Sequence, residues 1–195
     1  MIFTQSRIPD VFVVEPEPLS DNRGFFARAF CEKEFTKAGL VDKYVQCNMS
    51  YNEKKATTRG MHFQIAPHEE VKVVRCTSGA IFDVVVDFRE DSPTYLQWFG
   101  TELSATNRKM LYVPKGFAHG YQTLTDGAEV FYHVSEFYSP EADSGLFWQD
   151  PDIAIDWPFS EHEVIISEKD ASWPLIKNRL ARPCDTDYDH SRFRT

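Results

Sequence analysis

The residues best equipped for chemistry gather in one short stretch, Arg59-Gly60-Met61-His62-Phe63-Gln64, followed soon by Lys72 and Arg75 in a β-like run. Alternate residues of an extended chain share a face, so Lys72, Val74 and Cys76 point one way and Val71, Val73 and Arg75 the other. Lys72 therefore stands either on a solvated face or inside a barrel. His62, between two apolar neighbours, reads as a tethered structural histidine or as a base. The same parity sets Arg59 and His62 on opposite faces. Bringing both to one ligand requires a bulge, for which Gly60 is the natural place.

Three further clusters carry reactive types. Pro114-Lys115-Gly116-Phe117-Ala118-His119 follows P-x-G-x-x-H, the second-motif pattern of cupins, whose barrels hold metal or sugar ligands. Metal-binding cupins also carry an H-x-H in their first motif. Here His62 is followed by Phe63 and Gln64, so a metal site would have to be assembled from His62, His68, Glu70 and His119. The aromatic run Glu129 to Tyr138 gives Tyr132 and Tyr138 the parity of Val130 and Val134, as core tyrosines or as acids. In Ser167-Glu168-Lys169-Asp170, Ser167 caps a helix with Asp170 at the reciprocal position, or the Asp170 carboxylate serves the chemistry.

Positioning these side chains falls mainly to strands. Short β-rich runs at Val71–Cys76, Ala80–Phe88, Tyr95–Leu103, Lys109–Val113 and Ala128–Tyr138 alternate with turn signals such as Ser78-Gly79, Asp91-Ser92-Pro93 and Asp126-Gly127. That cadence predicts an all-β sandwich or barrel. Helix signals are confined to Phe30–Ala38, closed by Gly39, and to Ser167–Trp173. A length of 195 residues fits one domain, taken as 1–175, and 14% aromatic content can fill its core. Residues 176–195 are polar, lack periodicity and read as a peripheral tail.

A net charge of −9 argues against nucleic acid as partner, so an anionic ligand would need locally clustered Arg and Lys. No run approaches the ~20 apolar residues of a membrane span, and no basic leader precedes an apolar stretch at the N-terminus. The four cysteines form no C-x-x-C pair, which favours free thiols over zinc or a disulfide framework and a cytoplasmic setting.

Taken together, the clusters resemble the dTDP-4-keto-6-deoxyglucose (dTDP-4-dehydrorhamnose) 3,5-epimerase family from about Ile8 to Leu175. The matching stretches include Asp21-Asn22-Arg23-Gly24-Phe25-Phe26, Gln46-x-Asn48-x-Ser50, Arg59 to Gln64, Lys72-Val73-Val74-Arg75, Phe82 to Asp87, Pro114 to Gly120, Trp148-x-Asp150-Pro151 and Ser167-x-Lys169-Asp170. The resemblance implies a cupin-type jelly-roll β-barrel that works as a homodimer without metal or other cofactor. It implies an isomerase acting on a nucleoside-diphosphate 4-keto-6-deoxyhexose, with dTDP-4-keto-6-deoxyglucose the first choice.

By the same resemblance, His62, oriented by Asp170, removes protons beside the C4 ketone. Tyr132 returns a proton from the opposite face and Lys72 stabilises the enolate. Arg23 and Phe26 hold the nucleotide, Gln46, Asn48 and Arg59 the diphosphate, and His119 is a further active-site histidine. Tyr138 lines the substrate site. These residue types suit the chemistry, because abstraction beside a ketone needs a base that is neutral near pH 7 and an enolate oxygen needs a preorganised cation.

The chain departs from the family pattern near the site. Arg28 stands where a nucleotide-binding glutamate is usual, exchanging an acceptor for donors. Gln46-Cys47-Asn48-Met49-Ser50 and His133 also differ from the usual residues. Inversion at one carbon only, or another nucleotide sugar, is the rival within the class. A metal-dependent cupin oxygenase and a non-catalytic sugar-binding cupin are the rivals outside it, and a metal assay on the purified protein separates the oxygenase.

Overall fold

A computed structural model describes residues 1–180. In chain order the elements are β1 (Ile2–Gln5), β2 (Phe12–Glu15), β3 (Leu19–Asp21), β4 (Gly24–Phe26), α1 (Glu32–Lys37), β5 (Gln46–Asn52), β6 (Thr57–Gln64), β7 (Lys72–Ser78) and β8 (Ala80–Asp87). There follow β9 (Trp98–Ser104), β10 (Met110–Val113), β11 (Phe117–Thr123), β12 (Ala128–Val134), β13 (Asp143–Gly145), β14 (Ile165–Ile166), α2 (Glu168–Ala171) and α3 (Ile176–Leu180).

Two sheets dominate. One runs β1-β2-β10-β7-β12-β5, and the other β13-β6-β11-β8-β9 with β14 beside β6, while β3 and β4 form a separate hairpin. This is the all-β architecture that the strand cadence predicted and the cupin-type jelly roll that the family resemblance implied, with helices only at its margins. Val74, Cys76, Ile81, Val85, Leu111, Phe117 and Val130 fill the space between the sheets. The outer faces are covered too. Val71, Val73 and Met110 pack against Phe35 of α1, and Met61, Val84, Val86 and Ala118 pack against the C-terminal segment through Leu146, Ile153 and Ile176. Strands buried on both faces read as continuous apolar runs, which explains why Val84-Val85-Val86 lacks alternation. Among the described residues no helix is long and apolar enough to cross a membrane.

Both helix signals hold in shortened form. Leu40 N–H donates to Phe35 C=O at 3.0 Å and Gly39 sits at φ +74°, the left-handed closure that its glycine foretold. One boundary is corrected. The last aromatic strand ends at Val134 rather than Tyr138, because beyond it side chains take over the backbone. Ser135 Oγ accepts from Val71 N–H at 2.8 Å, Glu136 Oε1 from Phe137 N–H at 2.9 Å and Gln64 Oε1 from Ser139 N–H at 2.7 Å. Tyr138 thus reaches its place from a loop, and strand parity with Tyr132 has no bearing on it. At the start of the polar segment Ile176 is buried and Arg179 lies over Phe63 at 5.4 Å. Residues 181–195 of that segment lie outside the described residues.

The bulge required at Gly60 is present. β6 and β11 pair His62 with His119 and Arg59 with Tyr121, so three steps on one strand face two on the other. His119 and Tyr121 share a face, and their cross-strand partners Arg59 and His62 therefore do as well. Gly60 has φ +107°, and a Cβ there would lie 2.6 Å from Gly120 Cα and 2.7 Å from His119 O. Only glycine meets both conditions. Gly60→Ala is expected to cost about 2 to 5 kcal/mol from backbone strain and overpacking together. Urea unfolding checks this, and an unchanged midpoint would show that the two strands do not need their close approach.

Candidate active site

His62 faces a cavity of about 400 Å³ between the two sheets. One wall comes from three neighbouring strands of the first sheet, whose register sets Tyr132 opposite both Asn48 and Val74, and Val134 opposite Gln46 and Lys72. Partners across a ladder share a face, so Gln46, Asn48, Tyr132 and Lys72 all turn inward. The other wall carries His62 and Gln64 of β6, while Tyr138, Asp143 and Lys169 also line the cavity. The opposition of walls matters chemically. The imidazole comes from one sheet, and the ammonium and the phenol from the other.

Asp170 is delivered to His62 by the chain that follows β14. Ile165 and Ile166 pair in parallel with Thr57 and Thr58, which lays the segment along β6, and Ser167 then caps α2 by accepting the Asp170 N–H at 3.1 Å. Ser167 thus acts as the cap, while the Asp170 carboxylate turns to His62 instead of back to the start of the helix. Asp170 is 5% exposed, its Oδ1 lies 2.6 Å from His62 Nε2, and its Oδ2 accepts from Gly60 N–H at 3.2 Å. One carboxylate thus holds both the imidazole and the bulge that aims it. Trp173 walls the ring edge-on at 6.3 Å, in space left because Gly145, opposite His62 on β13, has no side chain.

Lys72 is 8% exposed, and its Nζ lies 2.9 Å from Glu70 Oε1. Of the two positions left open for it, the barrel interior is the one occupied. Burial pushes the Tyr132 phenol above its ordinary value, and the Glu70 carboxylate adds to the effect, so the hydroxyl keeps its proton. Tyr138 is raised in the same way by burial and then by Asp143, to which its hydroxyl donates at 3.2 Å. Lys169 pairs with the same Asp143 carboxylate.

Other anticipated residues stand apart from the cavity lining. Arg59 is exposed beside it and donates from Nε to Asn52 Oδ1 at 2.7 Å. His119, next to His62 across the ladder, is buried with its Nε2 2.8 Å from Asp83 Oδ1. Arg23 and Phe26 belong to the exposed β3–β4 hairpin, where Arg23 pairs with Asp21 and Phe26 is 72% exposed. Arg28 beyond it pairs with Glu34 at 2.6 Å.

The four residues of the metal alternative are not gathered. His62, His119 and Glu70 are each committed to a different partner, and among the described residues no group of three or more His, Cys, Asp or Glu is placed to hold a metal ion. Sequence reasoning had passed over Asp83 and Asp143 as site residues and had weighed Glu70 only as a metal ligand. For Asp83 a signal existed, because a carboxylate within the apolar run Ile81–Val86 demands a buried partner.

Two mainly antiparallel sheets closed around a polar cavity, with a histidine–carboxylate pair facing a lysine and a tyrosine, define a cupin-type jelly roll with a polar interior site. The comparisons narrow this. The chain belongs to the dTDP-4-dehydrorhamnose 3,5-epimerase family, whose model matches residues 5–178. The dTDP-4-dehydrorhamnose 3,5-epimerase of Salmonella typhimurium is 42% identical over 181 residues, covering 92% of this chain and 98% of its own. The crystal structure of the Elizabethkingia anophelis dTDP-4-dehydrorhamnose 3,5-epimerase superposes with a TM-score of 0.89 at 37% identity, over 92% of this chain and 98% of that one. The Bacillus anthracis protein of the same name, solved with TDP and PPi bound, gives a TM-score of 0.86 at 42% identity, over 90% and 99%.

Asp170 generates a pH prediction. Burial opposes its ionisation, but the hydrogen bond and charge of His62, the Gly60 N–H and Lys169 together hold it below the usual 3.8. A folded-state pKa below the unfolded one contributes stability that is fully present above about 3.8 and is lost as pH falls through the folded value. The stability gap between wild type and Asp170→Asn should therefore be constant near neutrality and shrink through that acid window. Urea unfolding at a series of pH values measures it, and a gap that widened on acidification would reverse the assignment.

Proposed function

We propose that this protein is an epimerase of a nucleoside-diphosphate 4-keto-6-deoxyhexose, with dTDP-4-keto-6-deoxyglucose as the first substrate to test. Inversion falls at C3, C5 or both, by proton abstraction beside the C4 ketone. The observation that carries the reading is the placement of His62, backed by Asp170 at 2.6 Å, on the opposite cavity wall from Lys72 and Tyr132. Inversion needs a proton to leave one face of the sugar and another to arrive on the other face, so a base and an acid on facing walls match the stereochemistry.

In this reading neutral His62 takes the proton at the carbon beside the ketone, and Asp170 fixes the ring's tautomer and orientation. The electron pair moves onto the C4 oxygen, where the buried Lys72 ammonium stabilises it. Tyr132, with its phenol kept protonated, delivers a proton to the opposite face. Gln46, Asn48 and Arg59 supply amide and guanidinium donors for the diphosphate, Tyr138 lines the sugar's entry, and His119 with Asp83 supports the wall beneath His62. Arg23, Phe26 and Arg28 serve the nucleotide.

We also propose a homodimer. Phe26 at 72% exposure, and Met49 and Tyr51 at 67% and 61% on the outer face of β5, leave apolar surface that a second copy would cover. Sedimentation at micromolar concentration should show twice the chain mass, and a monomer would contradict it. The free state of Cys31, Cys47 and Cys76 suits a reducing compartment such as the cytoplasm.

The two proton transfers can be separated. In deuterated water His62→Asn should abolish deuterium wash-in at C3 and C5, since no enolate forms without the base. Tyr132→Phe should leave exchange running with retention while inversion slows by roughly 10²- to 10⁴-fold, the usual contribution of a general acid. Lys72→Ala should depress both. NMR of the sugar carbons reads all three, and a Tyr132→Phe variant that inverts at the wild-type rate would hand the acid's role to Tyr138.

A further inference from the structure

Two carboxylates line the cavity, those of Asp143 and Glu70. Glu70 lines it in direct contact with Lys72, their side chains 12% and 10% exposed, so the pair is nearly enclosed. The other oxygen of the same carboxylate accepts from Gln64 Nε2 at 3.2 Å. Gln64 is itself immobilised: its Nε2 shares two protons among Glu70, His68 O at 2.9 Å and Phe137 O at 3.2 Å, and its Oε1 accepts from Ser139 N–H at 2.7 Å. Glu70 is therefore gripped at one oxygen and grips Lys72 with the other.

We propose that Glu70 is a positioning residue of the reaction, acting through Lys72 by holding its ammonium at one point of the cavity wall. This rests on the reading of Lys72 as the enolate's cation. A lysine ammonium is a point charge on a stem of four rotatable carbons, and in an open cavity it would spread over several positions. Preorganised charge is what stabilises an oxyanion, because a cation that must first be oriented gives back part of its benefit. One of the three ammonium protons is spent on Glu70, which leaves two directed at the cavity. The carboxylate also offsets the cost of enclosing a positive charge before substrate arrives. It serves Tyr132 as well, since the same negative charge helps keep the phenol protonated.

A double-mutant cycle on the full-length protein tests this, using dTDP-4-keto-6-deoxyglucose with deuterium wash-in and inversion as readouts. Glu70→Gln keeps the length of the side chain and removes its charge. We expect kcat to fall on the order of tenfold, the scale found for residues that orient a catalytic group from behind, with KM within about twofold. In a Lys72→Met background, Glu70→Gln should then have no further effect on the residual wash-in. Wild-type kcat in Glu70→Gln, an equal drop in both backgrounds, or a raised KM with unchanged kcat would each overturn the proposal. If Lys72→Met itself exchanged at the wild-type rate, the reading of Lys72 would fail instead, and the two failures are told apart by that single variant. Thermal melting checks folding throughout, and Glu70→Asp, with the charge retained but drawn back, carries the same cycle should Glu70→Gln not fold.

Discussion

The site depends on one carboxylate. Asp170 touches the imidazole with one oxygen and the Gly60 amide with the other, and the amide belongs to the bulge that turns Arg59 and His62 to a common face. Without the bulge the strand's period of two would send one of those residues out of the barrel. Burying an ionised group is costly unless it is paired and hydrogen-bonded, and here every hydrogen bond Asp170 accepts is also a positional constraint on the site. The cap from Ser167 and the parallel pairing of β14 exist upstream of that contact and bring the carboxylate to it.

The rest of the barrel can be understood as insulation for this polar interior. Three apolar clusters lie between the sheets and on both outer faces, so the strands are held from both sides and the cavity is the place where inward positions are polar. The first sheet supplies it through alternate residues, Gln46 and Asn48 on β5 and Tyr132 on β12, while Val130 and Ala128 deeper on β12 belong to the apolar core. Fully burying an aliphatic or aromatic side chain contributes about 1.5–3 kcal/mol. A barrel can therefore carry a few polar inward positions provided that each finds a partner, as Gln46 does with Asn48 at 2.8 Å.

Much of this was legible in the sequence, for identifiable reasons. Strand cadence and turn residues gave the fold class because they are local signals. The resemblance set Arg59 and His62 on one ligand against their strand parity, and a bulge at Gly60 reconciles the two. The end of β12 was misjudged at Tyr138, since Ser135, Glu136 and Gln64 divert the backbone there through side-chain hydrogen bonds that no periodicity records. Glu70 escaped notice as a partner of Lys72 because it stands before β7, outside the strand whose parity relates alternate residues. Nor did the spacing say that Arg23, Phe26 and Arg28 would stand on and beside an exposed hairpin instead of in the cavity lining.

Gln64 gives the molecule a further property. Its uncharged amide joins the segment carrying His68 and Glu70 to the segment carrying Tyr138, through short contacts in a buried setting. The hairpin region, by contrast, is tied down by solvent-facing ion pairs, Arg23 with Asp21 and Arg28 with Glu34. Dissolved ions weaken exposed charge pairs over a Debye length of about 8 Å at physiological strength but leave a buried neutral amide almost untouched. The rim thus rests in part on contacts that dissolved ions weaken, whereas the Gln64 latch between two of the chamber's segments does not.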